Sequence, residues 1–405
     1  MSDEQQPVDA ASAATTTPKA KKPVAKPAKA QPKLPPMKAA IISGVNAALE
    51  KAKSDVRTNT ADEVEYLAEV GRWVPTGIHW LDLVLSKGRG LPCGRPIEVF
   101  GNEGSGKTAL CEYLMGRYVH EVGSPPHLLD YERAYDQEHM DCYAVAKRDI
   151  LTPEPLNTIE DGWNYLSHTL DVLADRRLEA EAIGAAGDPP TLFVWDSIAQ
   201  ASPRAEMEEE DHGDSHMALA ARAFAKGFRK ILRSLSVSDA TVLFINQVRD
   251  NPGAYGPGDK TVTPGGRAAK FAFTIRMKLA AVEQLKKGDR IIGQLVEVST
   301  KKNKHAPKGM KCKIVLSYKR GIDADWSNFL FFKTFGYLLP AGTLGYRWKG
   351  AELPPFKKNG WRAFADANAE LVEAARLAIF SKEMAPMDDG DDQASPTKRD
   401  ESDDE

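Results

Sequence analysis

The sequence predicts an α/β fold built on a mostly parallel sheet with an antiparallel edge. Between about residues 96 and 247, short apolar segments alternate with longer helical ones, the pattern of parallel strands joined by helical crossovers. One apolar segment, PIEVFG, leads directly into the glycine-rich stretch GNEGSGKT (residues 101–108). After residue 271, segments that alternate apolar and polar residues are more typical of antiparallel strands.

The composition limits the class of protein. The chain has 405 residues, of which 42% are hydrophobic, enough for one large domain with additions or for two ordinary ones. No apolar run has the length that a membrane span needs, and the N-terminus lacks a secretory signal pattern. The cysteines form no CxxC pair and have no histidine companions at metal spacing. We therefore expect reduced thiols and a cytoplasmic protein.

The two ends of the chain carry opposite charges. Pro18 to Lys38 contains seven lysines and no acid, and residues 1–36 are rich in Lys, Pro and Ala. Residues 385–405 are acidic. Both segments are predicted to be disordered tails, since neither can bury enough apolar surface to offset its ordering entropy. They are either solvating tails or segments that tune the access of a polyanion.

The ordered elements follow one another in a simple sequence. Residues 37–72 are predicted to form a helix (Met37 to Asp55) and a linker with the strand-like VEYLAEV. In residues 73–322, four apolar strands are PIEVFG, HLLDYE, TLFVWD and TVLFINQ, and the helices between them begin at TALCEY, NTIEDG and HMALAA. The alternating segments are FAFTIRMKLAAVEQL, IIGQLVEVSTKKN and KCKIVLSYKR. A smaller unit, residues 323–384, ends in a helix, and the chain shows no internal repeats.

The stretch GNEGSGKT predicts a nucleotide site. It fits G-x-x-x-x-G-K-[ST] between a strand and a helix, where glycines let backbone N–H groups converge on phosphate oxygens. We expect Lys107 to reach the β- and γ-phosphates and the Thr108 hydroxyl to bind Mg²⁺. A glycine-rich turn without ligand is the alternative, which the flanking strand and helix disfavour. The residues expected to line the nucleotide are Gly101, Asn102, Glu103, Gly104, Ser105, Gly106, Lys107, Thr108 and Ala109.

Three polar residues stand at the ends of predicted strands. Asp196 ends TLFVWD, where a carboxylate beside the phosphate loop would hold the metal ion. Glu132 and Gln247 end two further strands, at the sheet edge where ligands bind in such folds. Glu132 could polarise a water for hydrolysis, and the Gln247 amide could sense the γ-phosphate; either could equally be a polar strand terminus.

A basic helix face adjoins two polar loops. HMALAARAFAKGFRK places Arg222, Lys226 and Arg229 three or four residues apart on one side of a helix. Such a row could follow a nucleic-acid backbone, and a solvated basic face is the simpler alternative.

Several segments resemble one known family. DSHMALAAR, LFINQVR, PGGRAAKF and KKNKHAP, together with GNEGSGKT and VWDS, resemble in order the signature segments of bacterial RecA homologous-recombination proteins. The likeness runs from about Val74 to Asp323 and is fainter at both ends; the tails are compatible with a divergent, phage-encoded member. It implies a RecA-like P-loop ATPase core, with ATP and Mg²⁺ as cofactors, that forms helical filaments on single-stranded DNA and exchanges strands with homologous double-stranded DNA. Nucleoid association, or the host cytoplasm for a phage protein, follows from that role; loading proteins and a repressor substrate remain candidate partners.

The resemblance also implies residue roles at the nucleotide. Glu132 falls at the position of the water-activating glutamate, and Gln247 at that of the glutamine coupling the γ-phosphate to DNA. Lys302 and Lys304 match lysines that reach the neighbouring subunit's γ-phosphate, and a surface basic loop is their alternative role. Asp136 and His139 fall where adenine is contacted, although the family more often has tyrosine in place of His139.

For DNA, the resemblance implies two loops, about residues 206–217 and 248–264. Met217 matches a residue that separates bases, and Tyr255 is the one sizeable apolar candidate in the second loop. The matched or neighbouring backbone contacts are Arg222, Lys226, Arg229, Arg249, Gly265, Gly266 and Arg267. The N-terminal helix should dock on a neighbouring subunit. In the C-terminal unit, KKNGW resembles a segment thought to guide duplex DNA, although helix packing is the expected role of Trp361.

Two other functions compete with strand exchange. A hexameric helicase or related motor on the same core should carry a sizeable N-terminal domain, whereas one helix and a tail precede this core. A regulatory ATP-binding module without hydrolysis is disfavoured by the presence of Glu132 and Gln247.

Overall fold

The computed structural model describes residues 36–53, 69–208, 216–250 and 261–385. Contacts divide the chain into two units, Met1–Tyr66 and Leu67–Glu405. The first unit contributes one described helix, α1 (Pro36–Lys51), close to the helix expected from Met37 to Asp55. Met37, Ile41 and Val45 of α1 are exposed. Both tails and most of VEYLAEV lie outside the described residues.

The second unit contains the remaining described elements. Its strands are β1 (Trp73–Val74), β2 (Leu91–Pro92), β3 (Pro96–Gly101), β4 (His127–Asp130), β5 (Leu192–Asp196), β6 (Thr241–Gln247), β7 (Arg249–Asp250), β8 (Thr261–Val262), β9 (Ile275–Lys287), β10 (Arg290–Asn303), β11 (Lys311–Ser317), β12 (Gly321–Ile322), β13 (Leu338–Pro340) and β14 (Tyr346–Trp348). Its α-helices are α2 (His79–Ser86), α3 (Lys107–Arg117), α4 (Gln137–Asp141), α5 (Ile159–Ala182), α6 (Arg204–Glu208), α7 (His216–Val237), α8 (Gly266–Ala272), α9 (Ala324–Thr334), α10 (Trp361–Ala367) and α11 (Ala369–Glu383).

Eight strands form one central sheet in the order β12-β11-β10-β9-β3-β6-β5-β4. The five strands from β9 to β4 are parallel, and β10, β11 and β12 complete an antiparallel edge. The predicted mostly parallel sheet with an antiparallel edge is thus confirmed. Strands β3 and β5 are buried at every residue, as their unbroken apolar sequences require for strands covered on both faces.

One strand differs from the prediction. FAFTIRMKLAAVEQL was expected to be antiparallel, but β9 pairs in parallel with β3, from Ile275 opposite Ile97 to Leu279 opposite Gly101. It is antiparallel only to β10. From Val282 onward its residues are mostly exposed in the hairpin with β10. The alternating pattern therefore reflects the half-exposed hairpin with β10, and it carries no information on whether the strand is parallel or antiparallel to its other neighbour.

Helices cover both faces of the sheet because alternate strand residues point to opposite sides. On one face, α2, α3 and α4 pack on Val194 and Ile245 among others. On the other face, α5, α7 and α8 pack on Trp195 and Phe244 through the aromatic rings of Trp163, Phe224 and Phe228. None of the described helices is long and apolar enough to cross a membrane.

The C-terminal helices and β13–β14 surround a separate aromatic core. Phe329, Phe332, Trp348 and Trp361 lie at its centre, and Leu83 of α2 joins it. Trp361 is 4% exposed, so the expected role in helix packing is confirmed. This region adjoins the sheet through α2 and α9.

Candidate nucleotide site and adjoining basic surface

The phosphate loop is the turn between β3 and α3. Gly104 and Gly106 have φ of 68° and 88°, a backbone region that residues with a Cβ rarely adopt. No side chain caps the N-terminus of α3, so its first N–H groups are available to an anion. Lys107 lies at the first position of the helix, and its Nζ donates to Asn102 O at 2.8 Å. The loop thus has the local geometry of a phosphate site.

The carboxyl ends of four parallel strands bring the predicted catalytic side chains together. Thr108 Oγ1 donates to Asp196 Oδ2 at 3.1 Å. The Glu132 backbone N–H, two residues beyond β4, donates to Asp196 O at 3.3 Å. Gln247 Nε2 donates to Glu132 Oε1 at 3.2 Å. Residues that are up to 139 positions apart in the sequence therefore form one group beside Lys107.

The electrostatics of this group fit a magnesium ion. Asp196 is 5% exposed, and its Oδ1 has no hydrogen-bond partner among the described residues. Burial and the neighbouring Glu132 raise the pKa of Asp196 to about 7. Burial lowers the pKa of Lys107. A divalent cation would give Oδ1 a partner and restore the ionised carboxylate, and carboxylate and hydroxyl oxygens are ligands that Mg²⁺ accepts.

Ser197 is a site residue that the sequence did not reveal. Its side chain is completely buried, and its hydroxyl donates to Glu132 Oε1 at 2.6 Å. Gln247 donates to the same oxygen, so both donors hold Oε1 and neither occupies Oε2. The available signal was its position next to Asp196 at a strand end.

A candidate platform for a nucleotide base, formed by Asp136, His139 and Tyr318, adjoins the phosphate loop. Asp136 caps α4 by accepting from Glu138 N at 2.8 Å, and His139, in the same helix, is 65% exposed. Tyr318, just after β11, is 60% exposed. Its hydroxyl donates to Gln294, which in turn donates to Gly104 O at 2.7 Å.

The turn after β11 also reaches α4, since Cys142 Sγ donates to Lys319 O at 3.5 Å. Tyr318 is a further candidate that sequence reasoning missed; the available signal was an aromatic residue directly after an apolar strand.

The basic face of α7 is exposed as predicted. Arg222, Lys226 and Arg229 are exposed on one side of the helix, and Phe224 and Phe228 are buried on the other. Within the described parts of the chain, none of the three basic side chains forms an ion pair. Among the described residues the row therefore has no acidic partner, and its charge suits an external polyanion.

The N-terminus of α8 packs against α7. Gly265 and Gly266 have φ of 99° and 74°, and a Cβ on Gly266 would lie 2.9 Å from the Ala221 side chain. This close approach places both glycines and the exposed Arg267 near the helix that carries Arg222. The side chains of Met217 and Arg249, and the whole of Tyr255, lie outside the described residues, as does the centre of each predicted loop.

A buried polar network ties the end of the second loop to strand β6. Asn246 Nδ2 donates to Glu98 Oε1 at 2.8 Å and to Pro264 O at 3.0 Å. Arg276 pairs with Glu98 and donates to Thr263 Oγ1 at 3.1 Å. Asn246 directly precedes the residue that contacts Glu132, so one strand connects the nucleotide group with the start of α8.

Lys302 and Lys304 do not join the phosphate loop of their own chain. Asn303, between them, pairs with Ile275, which lies opposite Ile97 in β3. Gly101 lies four residues further along β3, about 13 Å away at the rise of a strand. Lys302 Nζ instead donates to the carbonyls of Lys270 (2.9 Å) and Phe271 (2.8 Å) in α8. Burial lowers the pKa of Lys302 to about 8, and Lys304 is exposed.

Comparison with known proteins places the chain in a family. A family profile described as RecA N-terminal domain matches residues 62–323. Protein RecA of Caldanaerobacter subterraneus subsp. tengcongensis is 33% identical over 306 residues, which cover 76% of this chain and 83% of that protein. Protein RecA of Acidothermus cellulolyticus is 32% identical over 321 residues, covering 78% and 87%, and that of Streptomyces ambofaciens 32% over 309 residues, covering 76% and 77%. The chain belongs to the RecA family.

Proposed function

We propose that this protein is a DNA-dependent ATPase that forms helical filaments on single-stranded DNA and catalyses homologous pairing and strand exchange with duplex DNA. The observation that carries the proposal is the position of β6. Its last residue, Gln247, contacts Glu132 at the nucleotide edge, and the preceding Asn246 holds Pro264 at the start of α8. One strand therefore adjoins both the hydrolytic group and the surface proposed to bind DNA.

ATP binds with its phosphates at the N-terminus of α3, where Lys107 and free N–H groups meet the β- and γ-phosphates. Thr108 and Asp196 would hold Mg²⁺, which would supply positive charge beside the phosphates. Glu132, fixed through Oε1, uses its other oxygen to accept the proton of the attacking water. The Gln247 amide contacts the γ-phosphate when it is present and so couples nucleotide binding to the second loop.

Lys302 and Lys304 complete the site of a neighbouring subunit. The strand distance of about 13 Å, worked from the pairing register, is too long for either side chain to reach its own phosphate loop. A lysine supplied by a neighbour adds positive charge to the transferring phosphate, in the manner of an arginine finger. ATP then lies between subunits, and hydrolysis depends on assembly. We assign α1 to docking on the next subunit, because its apolar side chains Met37, Ile41 and Val45 are exposed.

Single-stranded DNA follows the basic face of α7 and the N-terminus of α8. Arg222, Lys226 and Arg229 contact phosphates by charge, and the backbone N–H groups at Gly265 and Gly266 approach them closely. Met217, Arg249, Tyr255 and Arg267 are proposed as further contacts from the matching positions of the family.

The test combines imaging with kinetics. The full-length protein is imaged with single-stranded DNA and a non-hydrolysable ATP analogue; helical filaments support the proposal, whereas closed hexameric rings support the helicase alternative. Strand exchange is then measured with a labelled homologous duplex. Lys107→Ala should abolish both ATP turnover and exchange.

Lys302→Ala should lower DNA-dependent turnover at least about tenfold without changing the folded monomer. Lys301→Ala, an exposed neighbour in the same strand, is the matched control and should behave as wild type. Equal turnover in the two variants would remove the contact between subunits from the proposal.

A further inference from the structure

A carboxylate stands behind the base-contacting helix. Glu112 lies in α3, four residues after Thr108, and its side chain is 12% exposed. Its Oε1 is 3.7 Å from Nδ1 of His139 in α4, whose side chain is 65% exposed. The buried member of this pair thus faces the protein, and the exposed member faces the solvent beside the proposed base platform.

His139 is the evident partner of this carboxylate. Glu112 lines a small cavity between α3, β4 and α4, and no described residue lining that cavity is basic. The other ionisable groups near Glu112 are acids, thiols or phenols: Asp130, Asp136, Asp196, Cys111, Cys142, Tyr135 and Tyr143. The imidazole is therefore the group that can donate to Glu112 from the open side.

We propose that Glu112 is a positioning residue for nucleotide selection: its carboxylate accepts from Nδ1–H of His139 and so leaves Nε2 as an acceptor facing the base. The inference rests on the proposed function, because it needs a nucleotide whose phosphates lie at the start of α3. A neutral imidazole has one donor and one acceptor nitrogen, and the partner of one nitrogen decides the role of the other. A distance of 3.7 Å is longer than a hydrogen bond, and such contacts commonly tighten when a ligand binds.

The consequence is a preference between purines. The 6-amino group of adenine donates hydrogen bonds, so it matches an Nε2 acceptor. The 6-oxo group of hypoxanthine only accepts, so it places two acceptors opposite each other. Glu112 acts through His139 and selects ATP over ITP. Tyr318, exposed beside the phosphate loop, offers a ring face for the base but does not distinguish the two groups.

The experiment measures the dissociation constants of ATP and ITP, each with Mg²⁺, for the full-length protein. Burial raises the pKa of Glu112 to about 7, so the measurements are made at pH 8. Glu112→Leu should reduce the preference for ATP over ITP by about three- to tenfold, the worth of one hydrogen bond. Glu112→Gln should retain it, since the amide oxygen still accepts from Nδ1–H. Glu121→Leu, in the helical turn Tyr118–Val122 that follows α3 and 59% exposed, is the matched control.

A second background separates positioning from general damage to the fold. In His139→Phe, adding Glu112→Leu should change the ATP-to-ITP ratio no further, because the carboxylate has no ring nitrogen to orient. The inference is overturned if Glu112→Leu leaves the ratio of the wild type unchanged, if Glu112→Gln loses the preference equally, or if the effect persists without His139. Failure of the wild type to bind ATP, or equal binding by Lys107→Ala, would instead refute the proposed function itself.

Discussion

Replacing Ser197 by alanine should slow ATP hydrolysis while leaving nucleotide binding intact. The Ser197 hydroxyl is completely buried and donates the shorter of two hydrogen bonds to Glu132 Oε1, at 2.6 Å against 3.2 Å from Gln247. Neither hydrogen bond is expected to involve the phosphates. The substitution therefore changes how firmly the proposed catalytic carboxylate is held, and it alters neither the phosphate loop nor the residues proposed to hold Mg²⁺.

The size of the effect follows from this geometry. A hydrogen bond to a charged group contributes about 1.5–3 kcal/mol. If the whole of this free energy stabilises the transition state by keeping the carboxylate aligned, its loss lowers turnover about ten- to a hundredfold, since each 1.36 kcal/mol is a factor of ten. Stability should change by less than about 1 kcal/mol, because Glu132 is only half-buried and water can replace the lost donor.

The assay is steady-state phosphate release with single-stranded DNA, with kcat and KM determined separately. We expect a lower kcat at a nearly constant KM, the signature of an interaction made in the transition state. Ser238→Ala is the control, because Ser238 is equally a buried serine but its hydroxyl contacts only backbone atoms. A wild-type kcat for Ser197→Ala, or a change confined to KM, would show that this hydroxyl does not position the catalytic base.

Three further predictions concern other parts of the chain. Burial raises the pKa of Asp82 from 3.8 to about 7, so its contribution to stability is complete only below about pH 4 and is lost as the pH rises through 7. Asp82→Asn should therefore stabilise the fold by roughly 2–4 kcal/mol at pH 8. Equal denaturation midpoints for variant and wild type at that pH would contradict this prediction. Gly227→Ala places a Cβ 2.2 Å from the ring of Trp163 and should cost about 1–3 kcal/mol, measured as a lower Tm, whereas Gly187→Ala, with its nearest atom at 3.8 Å, should not. Removing the acidic residues after Met387 should strengthen duplex DNA binding and change its salt dependence, and identical salt titrations would make that tail a bystander.

The sequence located the nucleotide group because parallel strands mark their own ends. Asp196 directly follows an apolar run, and Gln247 and Glu132 each follow one within three residues. In a parallel sheet all such ends lie at the same edge, so three residues found separately were predicted to converge. The register then placed them within hydrogen-bonding distance, as β4, β5 and β6 are adjacent. This prediction requires only that the strands are parallel, and the helices predicted between them indicate parallel strands.

The residues that sequence reasoning missed depend on contacts between distant elements. Ser197 meets Glu132 across 65 positions, and Glu112 meets His139 only because α3 and α4 pack side by side. No local period or motif marks such a contact. The direction of β9 was mistaken because alternation of apolar and polar residues shows which face of a strand is buried, and this pattern is the same in parallel and antiparallel strands.

The contacts of Lys302 within the single chain bear on the proposed assembly of subunits. In the single chain its Nζ already has two acceptors, the carbonyls of Lys270 and Phe271 at the end of α8. Leaving them for the proposed contact with a neighbour's triphosphate replaces hydrogen bonds from the ammonium to neutral carbonyls by hydrogen bonds to a negatively charged phosphate, which are stronger. On this proposal the exchange is favourable only when a nucleotide-loaded neighbour is present, and an isolated subunit keeps Lys302 on α8. Under the proposed role of Lys302, its contact with α8 in the single chain would keep hydrolysis low until a loaded neighbour is present, without a separate inhibitor.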